Sequence, residues 1–184
     1  MGKLYDAIDE RLAEFIRAQR MFFVATAPAG PEGHVNLSPK GHDTFAILGP
    51  RTVAYLDLTG SGVETIAHLR ENGRITVCFF AFEGAPKIVR LYGRGTPIEN
   101  GAAGFDELAA RFPPYAAVRS VIRIAVDRIA DSCGYAIPEY RYVGERTQLA
   151  QWAERKGPDG VRTYREENNR VSIDGLPGVE DRHE

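Results

Sequence analysis

The feature that most constrains the fold is a run of short strand-like segments separated by turns. These segments are rich in β-branched and aromatic residues, or they alternate apolar with polar residues, as strands with one buried face do. They are residues 21–27, 34–38, 44–48, 52–58, 74–82, 87–98 and 119–130. Repeated βα units of similar length are missing from the sequence, which argues against a doubly wound parallel sheet. The sequence therefore predicts a mainly β fold, a closed or nearly closed antiparallel barrel with peripheral helices.

Helices are predicted before, between and after these strands. Apolar residues at intervals of three and four indicate an N-terminal amphipathic helix with one buried face. These residues are Leu4, Ile8, Leu12, Phe15 and Ile16. Further helices are expected at residues 61–72, 102–112 and 145–156, and Gly73 suits a left-handed end for the first of these three. Residues 157–184 carry many charges, glycines and prolines, and we expect an irregular tail there.

Length, charge and composition predict a single domain over residues 1–184. A formal net charge of −2 gives no general attraction to nucleic acid or to an anionic membrane. No apolar run approaches the ~20 residues needed to span a bilayer, and the charged N-terminus is unlike a signal peptide. The two cysteines, Cys78 and Cys133, lie far apart, and the four histidines lack a zinc-like spacing. We expect a reduced, cytoplasmic protein without a metal, membrane or nucleic-acid partner.

The chemistry of the sequence concentrates where the segment 52–58 runs into a predicted helix. Thr59, Gly60, Ser61 and Gly62 form the connection, and Ser61 and Glu64 have the spacing of a capping box. Glycines before a helix leave its first N–H groups open to an anion such as a phosphate, and Lys40 can add a positive charge. A simpler interpretation remains open, in which Ser61 only caps the helix, the glycines only shape a turn, and Lys40 is a solvated loop residue.

The order of these segments resembles that of the pyridoxamine 5′-phosphate oxidase-like, FMN-binding split-barrel superfamily. The resemblance is clearest from Arg20 to Ile98 and rests on FFVATA, GHVNLSPKG, VAYLDLTGSGVETIAHLRENGRITVCFF and IVRLYGRGTPI. Two later segments, DSCGY at 131–135 and SIDGLPG at 172–178, look like those of an uncharacterised branch of this family. The resemblance implies an antiparallel split β-barrel.

The same resemblance implies a set of cofactor-binding residues from two neighbouring strands and the start of the next helix. According to this resemblance, the first strand faces the flavin ring, the second strand contacts the ring or the ribityl chain, and the start of the helix holds the phosphate. The residues are Asn36, Leu37, Ser38, Pro39, Lys40, Tyr55, Leu56, Asp57, Thr59, Gly60, Ser61 and Gly62.

Two departures from the family pattern limit what the resemblance implies. The Arg-Lys pair that commonly follows the serine is replaced by Gly62, Val63, Glu64 and Thr65, so a positive charge is missing there. Arg74, Arg90 and Arg94 are candidates to replace it, if need be from a second subunit. The C-terminal residues that contact pyridoxal in true pyridoxamine-phosphate oxidases have no match in residues 175–184, so vitamin B6 oxidation is not supported.

The resemblance therefore implies an FMN-dependent oxidoreductase of unknown substrate, a homodimer with the flavin at the subunit interface. Because the flavin carries the hydride itself, the protein needs no acid–base pair or nucleophile, and no catalytic residue is predicted. Two alternatives stay open. One is a split barrel that binds a deazaflavin cofactor or haem, and the other is a non-catalytic flavin-binding redox module.

Overall fold

Most of the chain that the structure describes, residues 2–180 of a computed structural model, forms one antiparallel sheet with helices around it. The strands are β1 (Leu4–Tyr5), β2 (Phe22–Thr26), β3 (Asn36–Lys40), β4 (Phe45–Gly49), β5 (Thr52–Leu58), β6 (Arg74–Phe80), β7 (Ile88–Glu99) and β8 (Val118–Ser132). The helices are α1 (Glu10–Ala18), α2 (Glu64–Asn72), α3 (Phe105–Ala109) and α4 (Gln148–Asn168).

The sheet is open. Its strand order is β3-β2-β6-β7-β8-β5-β4, with β1 added beside β8, and all pairings are antiparallel. In the described part of the chain no hydrogen-bonded ladder joins the two edge strands, β3 and β4. The mainly β, antiparallel fold with peripheral helices is confirmed. Full closure of the barrel, one of the two expected forms, does not occur.

Alternating side chains bury one face of the sheet in the main core. On β8, Ile122, Ile124 and Val126 are buried, whereas Arg123 and Asp127 are exposed, as the sequence predicts. Apolar residues of α1 and α2 complete this core. A second, smaller cluster lies elsewhere and consists of Ala54, Leu56, Phe105, Phe112 and Val121. Val121, which breaks the predicted alternation, is therefore buried beneath α3.

The first helix begins later than predicted. Asp9 caps it, since its carboxylate accepts a hydrogen bond of 2.8 Å from the Leu12 N–H. A cap at this position sets the start of α1 at Glu10. Leu4 lies outside the helix, in a two-residue strand paired with Ala130. The prediction that Leu4 shares the buried helical face is wrong.

The predicted capping box of α2 is also wrong. The helix begins at Glu64 after Val63, and no side chain caps it. The Glu64 carboxylate instead accepts a hydrogen bond of 3.3 Å from the N–H of Ile173. The docked C-terminal segment therefore occupies the carboxylate that a capping box would use. The other end is as predicted, because Gly73 ends the helix in the left-handed conformation with φ 71°.

The C-terminal part is more helical than expected. The structure extends α4 to Asn168, with a break at Gly157 (φ 67°, ψ 170°) before Pro158, so the tail predicted for 157–184 is wrong as far as residue 168. In contrast, α3 has five residues, fewer than predicted. Residues 169–180 are irregular but docked, and the Gly178 carbonyl accepts a hydrogen bond from Arg70. Residues 181–184, which belong to the predicted tail, lie outside the described residues.

A close backbone approach at Gly93 sets the junction of the two longest strands. The pairing of β7 with β8 shifts register between Tyr92 and Gly93. A β-carbon added at Gly93 would lie 2.2 Å from the carbonyl oxygen of Ala125. Since a backbone atom cannot move aside as a flexible side chain can, only glycine fits here.

We therefore expect Gly93→Ala to destabilise the fold by about 1–3 kcal/mol, because the methyl group overpacks the sheet. Urea unfolding followed by circular dichroism measures the change. The matched control is Gly30→Ala, which meets nothing within 4 Å and should leave the free energy of unfolding almost unchanged. Equal stability of the two variants would contradict this account of the junction.

Candidate functional site

A fully buried carboxylate organises the end of the sheet that the sequence identifies as a site. Asp57 on β5 has no exposed surface. Its Oδ2 accepts a hydrogen bond of 2.8 Å from Arg119 Nε and one of 3.3 Å from Ser120 Oγ, both on β8. Its Oδ1 accepts a bond of 3.2 Å from Lys40 Nζ on β3. A buried charge is tolerated only when it is paired in this way.

The two cations keep Asp57 ionised. Burial alone would raise the pKa of this carboxyl group, but the positive charges of Arg119 and Lys40 and their hydrogen bonds outweigh burial and lower the pKa to about 2. The carboxylate is therefore charged throughout the physiological range, and it serves as a fixed counter-ion.

Lys40 forms an ion pair with Asp57. Its side chain is about one-fifth exposed, and its Nζ contacts Asp57 and lies 5.9 Å from the centre of the Tyr55 ring. It thus connects the edge strand β3 to β5, which lies next to the other edge of the open sheet. A contact between Lys40 and a flavin ring edge or phosphate would have to compete with this ion pair.

Three polar residues that the sequence did not indicate hold the loop before α2. Arg119 donates to the Gly62 carbonyl and to Asn169 Oδ1, both at 2.9 Å. Asn169 Nδ2 donates to the Gly60 carbonyl at 2.9 Å. Arg165 Nε donates to Thr59 Oγ1 at 2.8 Å. The loop carbonyls therefore face Arg119 and Asn169.

The N–H groups of this loop remain available. No residue in the described range accepts a hydrogen bond from the backbone N–H of Ser61 or Gly62. Both residues are exposed, and they lie directly before the N-terminus of α2, where backbone dipoles favour an anion. The sequence gives one indirect signal for the arginine that orients this loop. Asp57 lies in the apolar strand VAYLDL, and a buried carboxylate there requires a cation from elsewhere in the chain.

One groove brings together parts of the predicted cofactor site. It has a volume of about 580 Å³ and is lined by Asn36 and Leu37 of β3 and by Ser61, Gly62 and Glu64. Residues between 168 and 173 of the docked C-terminal segment form the rest of its wall, together with His34 and Val35. β3 and the loop before α2 thus share one concave surface.

Asn36 is held in a fixed orientation at this groove. Its Nδ2 donates to Thr26 Oγ1 at 3.1 Å and to Thr65 Oγ1 at 3.0 Å, and its Oδ1 accepts from Ser38 Oγ at 2.9 Å. Thr26 Oγ1 also lies 3.0 Å from Nδ1 of the fully buried His68. Burial lowers the pKa of His68 despite the nearby carboxylates, so the imidazole stays neutral in this network.

Other predicted residues do not reach the groove. The Tyr55 ring is fully buried in the main core and packs on Phe22, and its hydroxyl has no hydrogen-bond partner among the described residues. Leu56, the next residue along β5, belongs to the second cluster. Pro39 is exposed on β3 opposite Phe23. Thr59 is buried under Arg165, and Gly60 is exposed beside the groove.

The groove carries little positive charge. Among the described residues that line it there is no lysine or arginine, and Glu64 contributes a carboxylate. His34 Nδ1 lies 2.6 Å from Asp174 Oδ1. Val35 also lines a neighbouring groove of about 430 Å³ that carries Arg74 and Arg94.

The three arginines proposed as replacements each have a local partner. Arg74 donates to the Pro28 carbonyl at 3.0 Å and Arg94 to the Asn72 carbonyl at 2.6 Å. Arg90 donates to Ser132 Oγ at 3.0 Å. None of the three lines the groove at Ser61.

Within residues 2–180 no group of three His, Cys, Asp or Glu side chains is arranged to hold a metal ion. The same part of the chain has no helix with the length and apolar character needed to cross a membrane.

The Asp57 ion pairs generate a pH prediction. Because the pKa falls from 3.8 in the unfolded chain to about 2 in the folded one, the ionised carboxylate contributes about 2 kcal/mol that is present above about pH 4 and is lost as the pH falls toward 2. Asp57→Asn leaves Arg119 without its counter-charge and should cost about 3–5 kcal/mol at neutral pH.

Urea unfolding of the wild type and Asp57→Asn at several pH values measures both effects. The difference in stability between the two proteins should shrink by about 2 kcal/mol between pH 5 and pH 2. Asp159→Asn, at an exposed pair with Arg162, is the control and should change little at any pH. A pH-independent difference for Asp57→Asn would refute the assignment.

Known proteins with the same fold and related sequences support the resemblance predicted from the sequence. A curated pyridoxamine 5′-phosphate oxidase family protein, ustO of Aspergillus flavus, is 36% identical over an alignment 196 residues long. The alignment covers 97% of this chain and 78% of the relative. A variant of HupZ from Group A Streptococcus is 26% identical with a TM-score of 0.53, and the match covers 68% of this chain and 99% of that one.

A Lactobacillus delbrueckii protein described as a candidate pyridoxamine 5′-phosphate oxidase shares the fold alone. It has a TM-score of 0.54 and 16% identity over 69% of this chain and 98% of that chain. Residues 8–133 match the family described as pyridoxamine 5′-phosphate oxidase. With this match and the relative in Aspergillus flavus, the chain belongs to the pyridoxamine 5′-phosphate oxidase family.

Proposed function

We propose that this protein is an FMN-dependent oxidoreductase that acts on a small-molecule substrate by hydride transfer at the flavin. Membership of the family supports the chemistry. The single observation that carries the site is the groove of about 580 Å³, in which Asn36 and Leu37 of β3 meet Ser61 and Gly62 before α2. Two segments proposed for the cofactor from the sequence thus line one cavity.

The residues in the groove fit most of the polar groups of FMN. The hydroxyl of Ser61 and the N–H groups of Ser61 and Gly62 suit phosphate oxygens. Asn36 Oδ1, which accepts one hydrogen bond from Ser38, can accept another from the ring or the ribityl chain. When bound, the flavin would supply the hydride-transfer chemistry at its own ring nitrogen. The protein would bind the cofactor, orient it and exclude water.

One subunit does not supply enough positive charge at the groove to balance the phosphate of FMN. A phosphate carries close to two negative charges near pH 7, and the described lining offers no lysine or arginine to balance them. Glu64 would add repulsion. We therefore propose that the protein is a homodimer with the cofactor at the subunit interface, where the second copy supplies the missing cation.

Exposed apolar residues around the groove support an interface at this position. Val35 is 74% exposed, Leu37 64%, Val171 57% and Ile173 71%. All four line the groove. Clusters of large apolar side chains at one surface are typical of protein–protein contacts.

The flavin prediction is tested by titration of FMN with the purified protein, followed by quenching of flavin fluorescence. Ser61→Glu places a negative charge beside the phosphate and should weaken FMN binding at least roughly tenfold. Thr163→Glu adds the same charge on the exposed surface of α4 and serves as the matched control. Equal FMN affinity of wild type and Ser61→Glu would place the phosphate elsewhere.

The interface prediction is tested by light scattering coupled to gel filtration. Leu37→Glu buries a charge in the proposed contact and should convert a dimer into a monomer, because an unpaired carboxylate cannot be desolvated cheaply. Val143→Glu, at a residue that is 95% exposed away from the groove, should leave the dimer intact. A monomeric wild-type protein, or a dimeric Leu37→Glu variant, would argue against this interface.

Catalysis is tested with the flavin-loaded protein, reduced nicotinamide and an electron acceptor. Turnover above free FMN supports an oxidoreductase. A stably bound flavin without turnover would indicate a non-catalytic redox module. An absorbance spectrum with a Soret band, or preference for a deazaflavin over FMN, would replace the cofactor assignment.

A further inference from the structure

A cavity larger than the groove lies elsewhere in the described part of the chain and has no assigned role. It has a volume of about 740 Å³ and lies between α3, the start of β8 and α4. None of the residues that line it lines the groove at Ser61. We propose that this cavity binds a small hydrophobic carboxylate whose acid group contacts Arg165.

The wall of the cavity fits the hydrophobic part of such a ligand. Aromatic, aliphatic and proline side chains make up most of it, including Leu56, Phe105, Phe112, Pro114 and Val161. The volume is in the range of about 300–1,000 Å³ that is typical of small-molecule sites. An apolar wall of this extent next to one cation favours a molecule with a single charge.

Arg165 provides the cation. Its side chain is half-buried, with Nε bonded to Thr59 Oγ1 at 2.8 Å and Nη2 to the Val118 carbonyl at 3.0 Å. Neutral oxygens thus hold the guanidinium in place. Among the described residues no carboxylate lies within ion-pair distance of it, in contrast to Arg119.

The charges that face Arg165 leave its attraction for an anion intact. Burial and the charge of Arg119 lower its pKa, and Asp57 opposes them, but a guanidinium remains protonated in proteins. Asp57 is itself paired with Arg119 and Lys40. Glu154 also lines the cavity but is exposed to solvent. Both N–H groups of Nη1 and the second N–H of Nη2 have no acceptor among the described residues and can donate to a ligand.

A strained residue lies in the same wall. Ala117 has φ 60°, a value that residues with a β-carbon rarely adopt, and its carbonyl accepts both the N–H and the hydroxyl of Thr59. Strain of this kind costs roughly 1–3 kcal/mol and concentrates at ligand sites. The strained Ala117 thus lies in the cavity wall and bonds to Thr59, the residue that orients Arg165.

Phenylbutyrate is a suitable probe, and isothermal titration calorimetry measures its binding to the full chain. We expect one saturable site, and phenylbutanol, which lacks the charge, should bind roughly tenfold more weakly. This comparison uses wild-type protein and does not depend on how a variant folds. Absence of saturable phenylbutyrate binding, or equal affinity for the alcohol, overturns the proposal.

Two variants then test whether Arg165 contacts the acid group of phenylbutyrate. Arg165→Gln should weaken phenylbutyrate roughly tenfold and leave phenylbutanol unchanged, a difference that a general loss of structure would not produce. The matched control is Arg162→Gln, at an exposed arginine of the same helix. If Arg165→Gln and Arg162→Gln bind phenylbutyrate equally well, Arg165 is not the contact.

Competition with FMN separates this site from the proposed function. Saturating FMN should not displace phenylbutyrate, because the two cavities have no lining residue in common. Displacement would overturn the proposal of a distinct site. A protein that fails to bind FMN but binds phenylbutyrate would refute the flavin assignment and support this one.

Discussion

The buried carboxylate of Asp57 is the interaction on which the functional end of the molecule depends. Arg119 at 2.8 Å and Lys40 at 3.2 Å neutralise it, and each cation makes a further connection that the fold uses. Lys40 joins one edge of the open sheet to the strand beside the other edge. Arg119 extends from Asp57 to the Gly62 carbonyl and to Asn169, so it fixes both the loop before α2 and the docked C-terminal segment. The loop lines the groove with Ser61 and Gly62, and its Thr59 holds Arg165 of the cavity.

The strands and their order along the chain were predictable for two reasons. β2, β6 and much of β8 bury alternate side chains, a pattern with a period of two. β5 is instead a continuous buried run bounded by turn residues. The sequence could not reveal how the edges of the sheet relate, since that depends on contacts between residues distant in sequence. Local competition explains the errors in the helices. Asp9 caps α1 and so leaves Leu4 to pair with Ala130, while the contact of Glu64 with Ile173 replaces the expected capping box.

The candidate site was predictable in part. Asn36 and Ser61 line one groove, and the resemblance had assigned both to one cofactor, but their role in binding stays a prediction. The family was identified from the same segments. The arginines around the loop were not found, because the sequence shows that Asp57 needs a cation but not which one provides it. Arg119 comes from a strand whose pattern shows only burial, and Arg165 from a segment whose charges and glycines had indicated an irregular tail.

The docking of residues 168–173 at the loop before α2 and at Glu64 has a consequence for biosynthesis. These residues form part of the groove wall, yet the ribosome adds them after all eight strands have been made. A nascent chain can therefore pair its sheet and bury its main core while the groove is still incomplete. Under the proposed function, cofactor capture at this groove would then be a late event in maturation, since the groove is complete only once residues 168–173 have docked.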